Sequence, residues 1–565
     1  MTRRSLIIAA LAFAAASGLP CRTPAQKKPE PPRRPAGQTV QAPVDTSAAR
    51  AGEPLPNLEL PEYDITGTLV PGIGVSAKTP VDQETVLDPL FGQRPRYGGP
   101  YVSDQSAWKE GARFPGGPAA AWGRVLGGYG WYVTPFLHAW YGQPGGAFGY
   151  NVRAGFESSQ GAIDNQQYTR AYGSVLFGWE LGGDMGALQR SDVRLSAGWL
   201  RDSYRLFGSI RPAQERSVTG FNLGVGLASS SIGDYSARLE FLVKTTSIQD
   251  SLESSDVPLG LRGSVWKRFE GYDVIGGAEL WAHPYSSPSG GAGPFYSNLS
   301  AGVRVDLPGD LEIRGGLSFA LFRGSDTPVS GRLYPKAVVT WYAARWISVF
   351  AAFDPAVRQM TLGDVFGANP YAATDFTLRH QERFVDLKLG TSMSLSPSLT
   401  LRLIGSYART NNALVFADTA RAGVWRPFYE GTSSELAFTV DATWIAGRHD
   451  QFLGVFAVRS ARNSVTDRKT PYAPVATAEL QYEHRFAFPL TVGAGIVVTG
   501  QRYADPANER SLDPFTLVDL RASYAFLRGW NVLARVENLF GVSYQWWDGY
   551  AGLPARGSLG VSYSW

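Results

Sequence analysis

Cysteine is almost absent from the sequence, because Cys21 is the only one among 565 residues. A single thiol excludes a disulfide framework and any zinc site built from several cysteines. Histidine is scarce as well, and none of the five belongs to a His-Glu-x-x-His motif. A Gly-x-Ser-x-Gly elbow is also missing. We therefore predict no metal site, no cofactor and no catalytic residue, and we expect a protein that is not an enzyme.

The sequence also lacks a strong excess of one charge sign. Its 53 Lys and Arg residues and 49 Asp and Glu residues leave a net charge of +4. Proteins that bind nucleic acid usually concentrate basic residues on one face, and no basic stripe runs through this chain. We therefore expect no nucleic-acid partner.

Only one long apolar run is present, from Leu6 to about Gly18, directly after Arg3 and Arg4. At roughly 13 residues it is shorter than the ~20 that a transmembrane helix needs, and it is typical of a secretory signal peptide. We place this signal at residues 1–25. A lipid anchor on Cys21 is the alternative, although the residues before Cys21 match a lipobox poorly.

The next two segments have no strand or helix periodicity. Residues 26–56 are polar and rich in proline, which predicts a disordered periplasmic linker; contact with peptidoglycan or a periplasmic partner is the alternative. Residues 57–118 are rich in glycine and proline and are predicted to be irregular. From Ala119 to Trp565 the composition is uniform, which indicates a single domain.

Aromatic residues are plentiful in contrast, at 13% of the chain, together with 64 Gly. From Ala119 onward apolar and polar residues alternate with the period of a β-strand. The clearest hairpin runs from Phe295 to Phe322 around Pro308-Gly309, with one apolar and one charged face. In a membrane barrel the apolar face meets lipid and the polar face meets water. A soluble sheet would show the same pattern in any single hairpin.

Tight turns alternate with long polar connections along this domain. Tight turns are predicted near residues 233–234, 270–271, 308–309, 344–345, 396–397, 447–448, 488–489 and 528–529, and long connections near 247–257, 283–296, 355–378, 409–433, 460–472, 502–513 and 541–556. Counting both kinds, including less certain connections such as those near 142–146 and 181–190, gives about 22 strands. Bacterial barrels have short periplasmic turns and long external loops. A sheet of that size is hard to accommodate without closure. We predict an all-β fold, a transmembrane antiparallel β-barrel in outer-membrane lipid with a periplasmic N-terminus.

The C-terminal stretch adds a more specific pattern. Val536 to Tyr544 contains Asn-Leu-Phe followed by a Tyr, and Pro554-Ala555-Arg556 precedes a last strand that ends on Trp565. This ordered set resembles the closing strands of TonB-dependent outer-membrane receptors. The resemblance implies a barrel of about 22 strands. It also implies a terminal signal that the barrel-assembly machinery recognises, formed by Leu559, Val561, Tyr563 and Trp565.

A second similarity to this family lies in the middle of the barrel. Arg358, the triplet Asp364-Val365-Phe366 and the pair Asn369-Pro370 match a segment of an external loop in these receptors. The Lys-Pro-Glu that commonly follows in the family is missing here.

The N-terminal region matches the family only in part. A short β-prone string could add as a strand to the sheet edge of another protein, and in the family such a string pairs with TonB. The candidate TonB box comprises Leu60, Pro61, Glu62, Tyr63, Asp64, Ile65 and Thr66; an incidental strand or a plug remnant is the alternative. Only about 60 residues separate this region from the first predicted strand, whereas a folded plug needs on the order of 100. The plug is therefore predicted to be absent or much reduced.

Two groups of aromatic residues have different predicted roles. Trp341, Tyr342, Trp346 and Trp530 flank tight turns and are predicted to form an interfacial girdle. Tyr544, Trp546, Trp547 and Tyr550 lie in a long loop and are candidates for contact with an unknown small ligand. An outer girdle would show the same composition.

Two functions follow from these observations. In the first, the protein is a receptor-like outer-membrane barrel that transports a bulky nutrient such as a metal chelate, a glycan or a peptide. In the second, it is a plugless passive channel or a surface scaffold that binds a ligand without energy coupling. The barrel resemblance favours the first function, whereas the missing plug favours the second.

Overall fold

The described residues form a closed antiparallel barrel. The computed structural model describes residues 122–143, 148–181, 191–232 and 235–565. The first strand, β1 (Trp122–Gly130), pairs on one side with β2 (Thr134–Gln143) and on the other with the last strand, β29 (Arg556–Ser564). The wall has 22 strands. The predicted transmembrane antiparallel β-barrel is therefore confirmed, whereas the signal peptide, the linker and residues 57–118 lie outside the described residues.

The other strands of the wall follow one another in chain order and pair antiparallel with their neighbours. They are β3 Phe148–Ser159, β4 Tyr168–Leu181, β5 Ser191–Arg205, β6 Glu215–Ile232, β7 Tyr235–Gln249, β9 Leu259–Phe269, β10 Tyr272–Ala282, β12 Phe295–Leu307, β13 Leu311–Arg323, β14 Ser330–Ala344, β15 Ile347–Phe353, β17 Gln381–Ser396, β18 Leu399–Ala417, β19 Arg426–Ala446, β20 Asp450–Asn463, β21 Ala476–Arg485, β22 Leu490–Thr499, β25 Phe515–Leu527 and β26 Trp530–Glu537.

Short elements lie in the connections between these strands. They are β8 Glu253–Asp256, β11 Tyr285–Ser286, β16 Ala356–Arg358, β23 Arg502–Tyr503, β24 Ser511–Leu512, β27 Gln545–Trp547, β28 Tyr550–Ala551 and the helix α1 Leu362–Ala368. β23 pairs with β24 and β27 pairs with β28, so each pair forms a small hairpin. In the described part of the chain no helix is long and apolar enough to cross a membrane.

The hairpin of β12 and β13 shows how the sequence pattern sets the two faces of the wall. Leu307 pairs with Leu311 across the turn, as the alternation predicts. On the apolar face, Leu299 is 64% exposed and Leu317 is 53% exposed. Glu312 and Ser318 on the opposite face are buried. Because side chains alternate between faces along a strand, the barrel presents its apolar face outward and its polar face to the lumen.

The connections have unequal lengths at the two ends of the barrel. One end, the tight-turn end, carries most of the tight turns, and the other, which we call the long-loop end, carries most of the extended connections. The tight turns after β9, β12, β14, β17, β19, β21 and β25 are confirmed, whereas the turn predicted at 233–234 lies outside the described residues. The chain enters β1 and leaves β29 at the tight-turn end.

One predicted long connection is much shorter than predicted, at residues 418–425. The segment 409–433 is largely strand, because β18 continues to Ala417 and pairs with β19 from Arg426 onward. Its polar stretch looked like a loop, but the side chain of Asn411 donates to Glu382 at 3.0 Å and accepts from Thr432 at 2.8 Å. These tertiary hydrogen bonds satisfy polar groups that local sequence assigns to solvent.

The closure between β1 and β29 uses the C-terminal residues named above. The side chains of Leu559, Val561, Tyr563 and Trp565 form an exposed apolar row on the outer face. The backbone amide and carbonyl of Trp565 pair with those of Gly123 at 3.1 Å. The last residue therefore takes part in the closing ladder. Its recognition by the assembly machinery remains a prediction.

We expect the closure to be sensitive to a methyl group at Gly128. A Cβ there would lie against the carbonyl oxygen of Leu559 and the Phe136 ring, and only 2.7 Å from the Cα of Gly560. Gly128→Ala should therefore destabilise the barrel by roughly 1–3 kcal/mol, as overpacking does. Heat-modifiable migration on SDS gels measures the temperature at which the barrel unfolds.

Gly173→Ala in β4 is the matched control, because its Cβ would meet only the carbonyl oxygen of Arg153 at 3.8 Å. Equal unfolding temperatures for the two variants would contradict the close approach at Gly128.

Candidate functional site

The long loops converge on a buried apolar cluster at the long-loop end, which we call the loop cap. Most of the large side chains in this cluster are almost inaccessible to solvent, as in a domain core. The cluster contains Ile248, Tyr285, Met360, Leu362, Val365, Phe366, Ala372, Phe376, Leu378, Leu414, Phe416, Trp425, Trp547 and Tyr550. Most of these residues come from the long loops, and Ile248, Leu414 and Phe416 come from the ends of β7 and β18.

The centre of the cap is the connection 354–380, which contains β16 and then the helix α1. Thr361 is its N-cap, accepting from the amide of Asp364 while the Asp364 carboxylate accepts from the Thr361 amide. This capping box satisfies two amides that the first turn leaves free. The amide of Leu362 donates to Asp256 of β8 at 2.9 Å. Leu362 and Val365 are fully buried, so the helix is anchored at its N-terminus and along one face.

After the helix, alternate residues of this connection bind the surrounding loops through their carbonyl oxygens. Tyr204 donates to Pro370 at 2.6 Å and Arg216 donates to Pro370 and Ala372, both at 2.7 Å. Ser254 donates to Thr374 at 2.8 Å. Tyr285 donates to Phe376 at 2.7 Å, and the Ser325 amide donates to Leu378 at 2.8 Å. The donors belong to β5, β6, β8, β11 and the loop after β13. The connection is therefore held across the mouth of the barrel.

Arg216 is the most completely satisfied charge in the cap. It is 1% exposed, and its guanidinium forms an ion pair of 2.6 Å with Asp250 in addition to the two carbonyl contacts. A buried cation is stable when it is both paired and hydrogen-bonded. Its guanidinium carbon also lies 5.3 Å from the centre of the Phe366 ring. Arg216 therefore joins β6 to both parts of the central connection.

Trp425 joins the central connection to the hairpin of β27 and β28. Its carbonyl accepts from the Ala373 amide at 2.7 Å, and its indole donates to the Tyr472 hydroxyl at 2.8 Å. Tyr550 stacks on Tyr371 with ring centres 3.6 Å apart. The Trp425 side chain is fully buried, so it is the principal packing contact between these loops.

Two buried histidines lie beside the start of the central connection. Nδ1 of His380 accepts from the Met360 amide at 3.2 Å, and Nδ1 of His283 lies 3.3 Å from the Asp256 carboxylate. The two imidazole rings are 5.5 Å apart. Burial, together with the nearby His283, lowers the pKa of His380 from 6.5 to about 3. His380 is therefore neutral while the cap is closed at neutral pH.

The lumen face carries paired charges. Arg304 lies 3.1 Å from Glu312 on the next strand, and Arg521 lies 3.1 Å from Glu483 across two strands. Cross-strand pairs of this kind stabilise the wall. Within the ranges that the structure describes, no group of three or more His, Cys, Asp or Glu side chains is placed to hold a metal ion.

The sequence-predicted ligand residues lie inside the loop cap. Trp547 and Tyr550 are buried in it, and Tyr544 and Trp546 are half-buried beside it. Their contact with a ligand remains a prediction, as does the terminal signal. The candidate TonB box lies outside the described residues.

Sequence reasoning missed Arg216, Trp425 and the two cap histidines, because partners distant in sequence define their roles. The Thr361-x-x-Asp364 capping box was a readable signal for α1.

Comparison with known proteins supports the fold and no closer relationship. No protein-family model matches the chain, and no curated protein matches it. Among solved structures, the FrpB iron transporter from Neisseria meningitidis is similar, with a TM-score of 0.62 at 14% identity over 79% of this chain and 82% of that one. The siderophore receptor PiuA from Acinetobacter baumannii matches with a TM-score of 0.62 at 10% identity, over 79% of this chain and 82% of that one.

A third similar structure is the ferripyoverdine receptor of the outer membrane of Pseudomonas aeruginosa. It matches with a TM-score of 0.61 at 13% identity, over 80% of this chain and 72% of that one. At identities this low, the structural similarity shows a shared barrel fold.

We expect the loop cap to depend on Trp425. Trp425→Ala removes a fully buried indole and should weaken cap closure by roughly 3–5 kcal/mol. Hydrogen exchange should then accelerate in peptides covering 359–380 and 545–551. Trp341→Ala is the control, because Trp341 is 51% exposed on the wall and should leave exchange in both peptides unchanged. Unchanged exchange in the Trp425 variant would show that the cap does not depend on this side chain.

Acid should also weaken cap closure. The pKa of His380 is about 3 in the closed cap and about 6.5 when exposed, so the open state binds the extra proton. The free energy of cap closure is therefore independent of His380 above pH 6.5. It should fall by up to ~1.4 kcal/mol for each pH unit between 6.5 and about 3. Hydrogen exchange of 359–380, corrected for the intrinsic pH dependence of amide exchange, measures this loss.

His380→Gln is the control for this pH dependence, because glutamine can still accept a hydrogen bond and does not titrate. His283 and Asp256 remain in the variant, so the comparison isolates the His380 side chain. The same slope in the variant and the native protein would contradict the role of His380.

Proposed function

We propose that the protein is an outer-membrane transport barrel of the TonB-dependent receptor type, which takes up a bulky nutrient. The observation that carries this proposal is the loop cap, because packed loops across the mouth fit gated uptake better than a permanently open pore. The named functions of the structural neighbours agree with a transporter or receptor rather than an enzyme. We accordingly assign no catalytic step to the barrel.

In this proposal the long-loop end faces the exterior and the tight-turn end faces the periplasm. Bacterial outer-membrane barrels have this asymmetry of loop length. The start of β1 and the end of β29 both lie at the tight-turn end, in keeping with a periplasmic N-terminus. The exposed apolar outer face, including Leu299 and Leu317, would contact lipid, and the row from Leu559 to Trp565 would be the signal for the assembly machinery.

We propose a metal chelate as the nutrient. The similar structures include an iron transporter and two receptors named for a siderophore or ferripyoverdine, and this likeness supports the class of ligand without naming one compound. Tyr544, Trp546, Trp547 and Tyr550 would contact it from the cap. Aromatic rings on a long loop offer a large contact area with little loss of side-chain entropy.

Energy coupling would come through the N-terminal region. Leu60–Thr66 would add as a strand to TonB, and residues 57–118 would act as a much reduced plug. The alternative function is a plugless passive channel or a ligand-binding scaffold. The packed cap favours the coupled transporter, whereas the shortness of residues 57–118 favours the alternative.

Single-channel conductance in a planar bilayer tests this function. We expect the full-length protein to be silent, and a variant lacking residues 1–118 to conduct once Trp425→Ala has opened the cap. Steady conductance by the full-length protein would establish a passive channel. In a parallel binding measurement, Ile65→Pro should weaken binding to the periplasmic domain of TonB at least tenfold, because proline removes a strand hydrogen bond, whereas Leu58→Ala should not.

A further inference from the structure

Arg502 is a buried cation without an acidic partner among the described residues. It lies in β23 and is 2% exposed. Its Nη2 donates to the carbonyl of Gln545, while Nε and Nη1 are buried without a hydrogen-bond partner. Such groups are rare in native structures, and each one calls for an explanation. Burial lowers the pKa of Arg502 to about 10, so its side chain remains charged at neutral pH.

Arg216 in the same cap shows what a structural arginine looks like in this protein. All three of its nitrogens have acceptors, namely Asp250, Pro370 and Ala372. Arg502 is buried to a similar degree and has one carbonyl acceptor. Both guanidinium groups contact aromatic rings, so the two arginines differ in the number of their hydrogen-bond acceptors. Arg502 therefore has hydrogen-bonding capacity that the fold does not use.

A second buried donor without a partner lies beside Arg502. The indole Nε1 of Trp546 is buried with no acceptor, and the guanidinium carbon of Arg502 lies 5.7 Å from the centre of the Trp546 ring. The ring of Phe515 lies 5.3 Å from the same carbon and 5.0 Å from the Trp546 ring. Three unused donors are thus grouped among aromatic rings.

We propose that Arg502 and Trp546 bind a carboxylate of the transported substrate, with Phe515 and Tyr544 contacting the carbon skeleton that carries it. This inference rests on the proposed uptake function and names a chemical class within it. A carboxylate supplies acceptors to guanidinium and indole donors at once, and charge-assisted bonds of this kind are the strong ones. Flat aromatic walls favour a carboxylate attached to a ring.

Binding at this site requires a small movement of the hairpin formed by β27 and β28. Gln545 and Trp546 belong to that hairpin, and Arg502 is covered in the unliganded protein. A substrate would replace the Gln545 contact or add to it as the hairpin shifts. Opening therefore comes before binding, and association should be slower than diffusion allows.

Fluorine NMR of the full-length protein in zwitterionic detergent tests the site, with 4-fluorobenzoate as the probe. We expect saturable line broadening in the millimolar range for this fragment-sized ligand, and none for the neutral isostere 4-fluorobenzamide. Arg502→Met should weaken binding at least tenfold, and Arg502→Lys should retain part of the affinity because it keeps the charge. Equal broadening by the amide, or no broadening by the benzoate, would overturn the proposal.

Arg468→Met is the matched control, because Arg468 is an exposed cation in the neighbouring loop; it should bind the benzoate as the native protein does. Hydrogen exchange of 545–551 in unliganded Arg502→Met separates binding from structure. Unchanged or slower exchange agrees with a binding residue, whereas faster exchange with equal benzoate affinity would make Arg502 structural. If the full-length protein binds benzoate and also conducts steadily, the proposed uptake function is contradicted and the carboxylate site is retained.

Discussion

The structure depends on the need to pair every backbone group of a sheet that crosses lipid. An unpaired strand edge in lipid costs several kcal/mol for each exposed amide or carbonyl, so the sheet must close. Closure is made by β1 and β29, whose register pairs Gly128 with Gly560 and whose ends join Trp565 to Gly123. The alternation of side chains then fixes an apolar outside and a polar lumen, and the strand directions place most of the long loops at one end.

The loop cap is stabilised by a different set of interactions. Its centre is a connection with one short helix, so most of its backbone groups have no partner within a regular element. They are satisfied by side chains and amides of the surrounding loops, with Arg216 and Trp425 making the largest contributions. A buried polar network of this kind holds a particular arrangement when all its members are paired. The unpaired donors of Arg502 and Trp546 depart from that rule, as does the buried Nδ2 of Asn369 in the central connection.

Sequence alone was sufficient for the barrel because its signal is local and repeated. The hairpin around Pro308 could be predicted to within one residue, since strand period and turn chemistry agree there. The same reasoning failed for 409–433, where Asn411 and its neighbours look polar but bind Glu382 and Thr432 across the sheet. The cap could not be predicted for a related reason, because Tyr204 and Pro370 are far apart in sequence and meet only in the folded barrel. The aromatic loop from Tyr544 to Tyr550 was identified, but not its burial.

The carbonyl contacts of the central connection also bear on how this protein can change over generations. A hydrogen bond to a main-chain oxygen does not depend on the side chain of the residue that accepts it. The buried alternate residues from Pro370 to Leu378 provide those oxygens, while Ala373, Asp375 and Thr377 point away from the buried row. Substitutions at these three positions can therefore leave the carbonyl contacts, and with them the closed conformation, in place.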